Sequence, residues 1–342
     1  MEKKSLIKAV CVAFLVLTTV LVYGIFIRPN VLVEHPSQQL NIPHGMSFGS
    51  LKHTLQRQKY VSNIISFGLV ARLTRYDQSI RPGAYRLEKN MNNWQAIRML
   101  RAGMQQPVKI VLHHVQTKEE LAAKITQHIE IDAADFTKLL NDPDFVGQHG
   151  FNLENVMSMF IPNTYEVYWT ITPEGLFSKM YKEYQRFWNI QRRNQAKNLK
   201  LSPVDIAILA SIVQSETNKI EEAPLIAGVY INRLRKKMAL QSDPTLLHIL
   251  QDPSARRVLH KYKALDSPYN TYKYLGLPPG PISLPTIAMI DAVLNSSTSN
   301  NYLYFTAKED FLGYHHFTQS FQEHLRHARR YQQALNKARI YR

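Results

Sequence analysis

Residues 209–245 read LASIVQSETNKIEEAPLIAGVYINRLRKKMALQSDPT, and the rest of the chain is organised about them. The stretch begins inside a helix with a well-marked start. Ser202-Pro203-Val204-Asp205 supplies a capping residue, a proline at the first helical position and an acid three residues after the cap. Ile208, Leu209, Ile212 and Val213 recur at helical spacing. Glu216 stands four residues after Ile212 and three after Val213, so it falls on the same apolar face. Two readings fit. Glu216 either ends a fraying helix in water, as charged residues usually do, or lines a cleft. In a cleft, desolvation would raise its pKa and let it hold a proton near neutral pH, as a general acid must.

Residues 224–238 read as a second helix, with Ile226, Tyr230 and Leu234 on one face. Leu240-Gln241-Ser242-Asp243-Pro244-Thr245 follows as a polar turn, with Asp243 a candidate cap and Pro244 at a first helical position. Two helices and a turn are thus expected to converge on the end that carries Glu216. The motifs ASIV-x-x-ET, AGV-x-x-NRL and LQSDPT, in this order and spacing, resemble the YceG-like family of endolytic murein transglycosylases (MltG). Ser267-Pro268-Tyr269-Asn270-Thr271-Tyr272, then Gly276-Leu277-Pro278-Pro279-Gly280-Pro281-Ile282, extend the match. Tyr302-Leu303-Tyr304-Phe305, His316-Phe317 and Glu323-His324 carry it to the end. The chain departs from the pattern at Gln214, where many relatives carry an acid. It departs again at Asn163, within the relatives' PDTY, and at Leu325, where they carry Asn.

The resemblance implies an α+β protein with three parts: an N-terminal transmembrane helix, a small LysM-like α/β module and a mixed α+β catalytic domain of the YceG-like type. It makes Glu216 the catalytic acid of a lytic transglycosylase. Such an enzyme cuts the MurNAc–GlcNAc β-1,4 bond within glycan strands and leaves 1,6-anhydro-MurNAc ends. No metal or cofactor is implied; cell-wall synthases, the penicillin-binding proteins, are the implied partners. Candidate substrate-binding residues are Asn232, Gln241, Ser242, Asp243 and Thr245, with Tyr269, Asn270 and Thr271 from a Pro/Gly-rich loop at 267–282. Tyr165, in an aromatic cluster with Tyr168 and Trp169, is a candidate for stacking on sugar. Three of them have a plainer alternative: Asp243 only a cap, Asn232 only a bond between helices, Tyr165 only part of an aromatic core. Two rival functions also stand. One is a hydrolytic muramidase in which Asp243 or Glu221 helps a water molecule attack. The other is a non-catalytic glycan-binding scaffold for cell-wall synthases.

The chain has 342 residues, enough for two domains, with 45% apolar and 20% charged residues. Its formal charge of +16 suits anionic lipid or a carboxylate-bearing polymer. No zinc-finger spacing or RNP-type aromatic motif supports a nucleic-acid partner. Cys11 is the only cysteine, which excludes an intrachain disulfide. Residues 9–27 are apolar enough for one membrane span; Lys3, Lys4 and Lys8 precede it and Arg28 follows. The positive-inside bias places the N-terminus in the cytoplasm and the rest outside the inner membrane. A signal peptide is the alternative, but Val22-Tyr23-Gly24 is a poor cleavage site.

The expected organisation is a cytoplasmic segment 1–8, a membrane helix 9–27, a tether 28–40, a LysM-like module 41–105 and a catalytic domain 106–342 with a helical segment at 120–200. The module either binds N-acetylated glycan or only spaces the active site from the membrane. Residues 173–200 read as one long helix whose basic end projects into solvent, and 248–263 as mixed helix and basic surface. His113-His114 and His315-His316 do not chelate as pairs in extended backbone, because adjacent side chains point to opposite faces.

Overall fold

A computed structural model of the chain describes residues 2–252 and 259–339. The middle of the stretch 248–263 lies outside them. The protein is mixed α+β, and its elements fall into two compact units.

The apolar run at the start forms α1, Glu2–Val22, continued by a π turn, Tyr23–Ile27. Its apolar side chains are exposed along most of the helix. The stretch Ser5–Ile27 has a mean hydropathy of 2.7. At 1.5 Å per residue it is about 35 Å long, more than the roughly 30 Å hydrocarbon core of a bilayer. The hydroxyls of Thr18 and Thr19 donate to carbonyls one turn back, Phe14 O at 3.0 Å and Leu15 O at 2.8 Å. These two hydroxyls are therefore paired within the helix. These properties fit a single-pass membrane anchor.

The first unit comprises residues 1–110, 128–131 and 166–172. β1, Ser37–Ile42, and β2, Gly83–Glu88, pair antiparallel with Leu40 opposite Tyr85. Between them lie α2, Phe48–Arg57, and α3, Ile64–Leu73; α4, Asn93–Ala102, follows β2. Leu40, Ile42, Tyr85 and Leu87 from the sheet share one core with Leu51, Leu55, Phe67, Val70, Ile97 and Leu100 from the helices.

The expected tether at 28–40 is instead part of this unit. Val31 and Val33 are buried in its core, and isolated bridges join Pro29 to Asn92 and Val31 to Val61. Asn30 explains why: it is 4% exposed and fully bonded. Its amide donates to Asn63 O at 2.9 Å and Asn93 Oδ1 at 2.6 Å, and its Oδ1 accepts from Ser62 Oγ and Asn63 N, both at 2.8 Å. The pattern of apolar residues was too short to reveal strand bridges that depend on one buried amide.

The second unit comprises residues 111–127, 132–165 and 173 onward. β3, Val108–Val111, and β4, Thr164–Val167, are short strands at the points where the chain passes from one unit to the other. Between them run α5, Lys118–Thr126, α6, Ala133–Leu140, and α7, Pro143–Gly147. The helix expected over 173–200 breaks into α8, Pro173–Phe187, and α9, Ile190–Leu199. Trp188 turns into the core, 1% exposed, and Asn189 caps the new helix by accepting from Arg192 N at 3.0 Å. α9 is also not a projection into solvent: Arg192 Nε donates to Asp291 Oδ1 at 3.0 Å and Ala196 is buried.

The centre of this unit is α10, Pro203–Glu216, which starts with the reciprocal Ser202–Asp205 capping box. All residues from Ile206 to Val213 are buried. It packs against α11, Ala223–Arg235, α12, Asp243–Leu250, and α13, Ile287–Leu294. β5, Tyr304–Ala307, and β6, His315–Thr318, form a hairpin backed by α14, Phe321–Lys337. Two motif glycines permit close backbone approaches. A Cβ on Gly228 would lie 2.4 Å from Ser297 O, and one on Gly280 would lie 2.0 Å from Glu154 O.

The Asn30 network predicts a local effect. Asn30→Ala should destabilise the first unit by about 2–4 kcal/mol, since several buried groups lose their partner at once. Hydrogen exchange on the detergent-solubilised full chain should show protection lost in β1, β2 and α3 and retained in α10–α13. Unchanged protection throughout would contradict the structural role given to Asn30.

Candidate active site

Glu216 is the last residue of α10. Its Oε1 accepts two hydrogen bonds, from Tyr230 Oη and from Ser242 Oγ, each at 2.6 Å. Tyr230 comes from the middle of α11, where it is 1% exposed and meets the edge of the Phe305 ring at 5.8 Å. Ser242 comes from the turn that leads into α12. The Glu216 residue keeps some accessibility, while its carboxyl is enclosed enough for burial to dominate its acidity. Its pKa is raised, first by desolvation and further by the nearby Asp243 charge. The Ser242 and Tyr230 bonds and His315 oppose that rise. The carboxyl is thus poised to hold a proton at a higher pH than an exposed glutamate.

The turn is held from behind. Ser242 N donates to Thr271 Oγ1 at 3.0 Å, Thr271 Oγ1 and Thr245 Oγ1 are 2.9 Å apart, and Thr245 Oγ1 donates to Ser242 O at 2.8 Å. With Thr271 donating to Thr245, the bonds form a closed ring and every donor is used once. Gln241, at φ 55°, donates its N–H to Thr271 O at 3.0 Å. Arg233 of α11 donates to Leu240 O and Leu303 O, both at 2.7 Å, and to Ala239 O at 3.2 Å.

Beyond the acid, Tyr272 Oη donates to Asp243 Oδ1 at 2.6 Å. His315 of β6 binds Glu222 twice, through its backbone N–H and Nδ1, both at 2.9 Å. With Nδ1 donating to a carboxylate, this bond fixes the ring's orientation.

The structure sorts the candidate residues into three groups. Ser242 stands on the acid itself. Gln241 and Asp243 are exposed and Tyr269 is half-buried against the His248 ring, so these three keep surface beside the turn. The others spend their polar groups internally, which corrects their reading as substrate contacts. Asn232 donates to Tyr302 O at 3.2 Å. Asn270 is fully buried; it donates to Leu265 O at 2.7 Å and Lys263 O at 3.0 Å and accepts from Tyr272 N. Thr245 and Thr271 belong to the ring. Tyr165 is buried and donates to Ile161 O.

Sequence reasoning missed the site roles of Tyr230, Tyr272 and the Glu222–His315 pair. Tyr230 was placed with the apolar face of its helix, and the one available sign was a phenol among aliphatic neighbours. Asp243 caps no helix through its side chain, since Ser242 occupies the cap position.

Residues 40–330 match the profile of the YceG-like family. The chain belongs to the YceG-like family. A Bacillus subtilis relative named endolytic murein transglycosylase is 27% identical over 314 residues, covering 87% of this chain and 86% of its own. A Streptococcus pneumoniae protein of the same name is 26% identical over 299 residues. The alignment takes in 78% of this chain but 54% of the streptococcal one, so the chain spans about half of that relative. A crystal structure of a YceG-like protein from Listeria monocytogenes superposes with a TM-score of 0.55 at 28% identity, covering 85% of this chain and 98% of that one.

The raised pKa of Glu216 has a consequence for stability. Folding disfavours ionised Glu216, so the penalty is absent below the unfolded carboxyl pKa, about 4.3, and develops as pH rises through the folded value. Glu216→Gln removes it and should raise the melting temperature at pH 8 while leaving it nearly unchanged at pH 4. Thermal denaturation at both pH values checks this; the same gap at each would assign the effect to packing.

Proposed function

We propose that this YceG-like chain is an endolytic murein transglycosylase that cuts the MurNAc–GlcNAc β-1,4 bond within glycan strands. The observation that carries the reading is one partly enclosed carboxyl with a raised pKa, held by two neutral hydroxyls. The names of the relatives from two organisms point the same way. Protonated Glu216 gives its proton to the glycosidic oxygen as the bond to the MurNAc anomeric carbon breaks. The C6 hydroxyl of that sugar attacks the same carbon, and the Glu216 carboxylate takes its proton. The products are a new GlcNAc hydroxyl and a 1,6-anhydro-MurNAc end, and Glu216 is protonated again. An internal nucleophile in good geometry has an effective molarity on the order of 10⁵ M or more.

A hydrolytic muramidase needs a second carboxylate free to activate water. Asp243 is engaged by Tyr272, Glu222 by His315, and the exposed Glu221 by Tyr314 Oη at 2.7 Å. Their engagement favours the one-carboxylate route.

In this reading α1 anchors the enzyme in the inner membrane with the N-terminus inside and both units outside. The strand–helix–helix–strand order of β1, α2, α3 and β2 supports a LysM-like module in the first unit. Cell-wall synthases are the partners that the family resemblance suggests.

Glu216→Gln keeps size and hydrogen-bond acceptance but cannot exchange a proton. It should stay folded and lose at least about two orders of magnitude in activity. Mass spectrometry of wild-type digests of purified peptidoglycan should find chains one water lighter than hydrolysis products. Ordinary reducing ends would identify a muramidase, and no cleavage at all would favour the scaffold.

A separate test concerns the anchor. A reporter fused after Arg342 should be active only outside the cytoplasm. Cytoplasmic activity would reverse the orientation.

A further inference from the structure

Two strong donors fall on the same oxygen of Glu216. Tyr230 Oη and Ser242 Oγ are both 2.6 Å from Oε1, a length typical of hydroxyls bonded to a carboxylate. Among the described residues, Oε2 makes no hydrogen bond to protein. The two oxygens of the acid are therefore unlike.

Each donor is itself fixed. Tyr230 is locked by burial in α11 and by the Phe305 edge. Ser242 is 1% exposed and its backbone is pinned by the ring through Thr271 and Thr245. The Ser242 hydroxyl also lies within hydrogen-bonding reach of the Tyr230 phenol, so Oε1 and the two hydroxyls form one cluster. A proton on Oε1 would face two hydroxyl hydrogens, and one of the two donors would have to give up its bond to the carboxyl. A proton on Oε2 meets no such conflict.

We infer that Tyr230 and Ser242 are positioning residues that make Oε1 the spectator oxygen, so that Oε2 both gives the proton to the leaving oxygen and takes it back from the attacking hydroxyl. This rests on the transglycosylase reading for the reaction, though not for the asymmetry of the carboxyl. No atom of Tyr230 or Ser242 is transferred. In the acid state the two bonds hold the rotamer with Oε2 toward the substrate. After proton transfer they share the charge that appears on the carboxylate, where preorganised donors act most strongly. Uniform binding of substrate needs neither effect.

The titratable and charged groups around the carboxyl are Tyr230, Tyr272 and Asp243, His315 from β6 and Arg233 from α11. With so many titratable groups close together, the test must see the carboxyl itself. Infrared difference titration of the substrate-free full chain does so, with the Glu216 band assigned by its loss in Glu216→Gln. Tyr230→Phe keeps the ring and its packing, and Ser242→Ala shrinks a side chain without adding bulk. Each should move the Glu216 midpoint up by about one pH unit, the worth of one hydrogen bond to a charged group.

The alkaline limb of the kcat profile should move up with it, because the protonated acid is the active form. kcat at the optimum should fall by about 10- to 100-fold with KM changed less than about threefold. A lower kcat with an unmoved midpoint in the folded variants would overturn the inference, as would a rise in KM alone for Ser242→Ala. Tyr230→Phe that fails to fold leaves Ser242→Ala to decide. The midpoint is read without substrate, so a wild type that yields no anhydro ends would sink the transglycosylase reading while the infrared arm still judges the asymmetry.

Discussion

One guanidinium ties a helix and the turn that follows it to a segment seventy residues further along the second unit. Arg233 leaves α11, donates to the carbonyls of Ala239 and Leu240 in the turn after it, and reaches Leu303 ahead of β5. It is 8% exposed and lies 5.2 Å from the centre of the Tyr304 ring. Burial lowers its pKa, yet a guanidinium with five donors remains charged and can serve several carbonyls at once. A lysine could not cover the same fork. Without these bonds the backbone of the turn would bury carbonyls without partners, and Ser242 would lose its fixed distance to the acid.

The acid itself is set by opposition. Burial favours its neutral form, and two hydroxyls favour its charged form. Either influence alone would be a poor choice. Pure desolvation would leave a carboxyl that yields its proton reluctantly, and strong hydrogen bonding in water would leave one that never holds it. The hydroxyls also carry no charge of their own. Burial pushes the Tyr230 phenol well above its usual range, so it remains a neutral donor wherever the enzyme works.

Much of this was legible in the sequence, for identifiable reasons. The start of α10 could be read because capping is local chemistry within four residues. Glu216 could be located because helical periodicity puts it on the apolar face. The role of Ser242 was half-visible: its motif marked it as polar and placed, but not that its partner was Glu216. Tyr230 was hidden because a buried phenol and a buried aliphatic chain occupy the same helical positions. Asn270 misled because a polar residue in a Pro/Gly loop reads as available, whereas its amide closes that loop on the carbonyls of Lys263 and Leu265. The break at Trp188 and the burial of Asn30 depend on partners far along the chain, which no local pattern records.

The last turn of the anchor is bonded to folded protein. Asn93 Nδ2 donates to Ile25 O at 2.7 Å, and Ile25 and Phe26 pack against the core of the first unit. The helix therefore emerges into a rigid collar, with no slack to slide along the bilayer normal. A thicker or thinner membrane must be met by local lipid deformation or by tilting helix and collar as one body, each costing fractions of a kcal/mol per ångström of mismatch. For a helix that spans a bilayer, this attachment would pass a change of thickness to the first unit, where a flexible leash would absorb it.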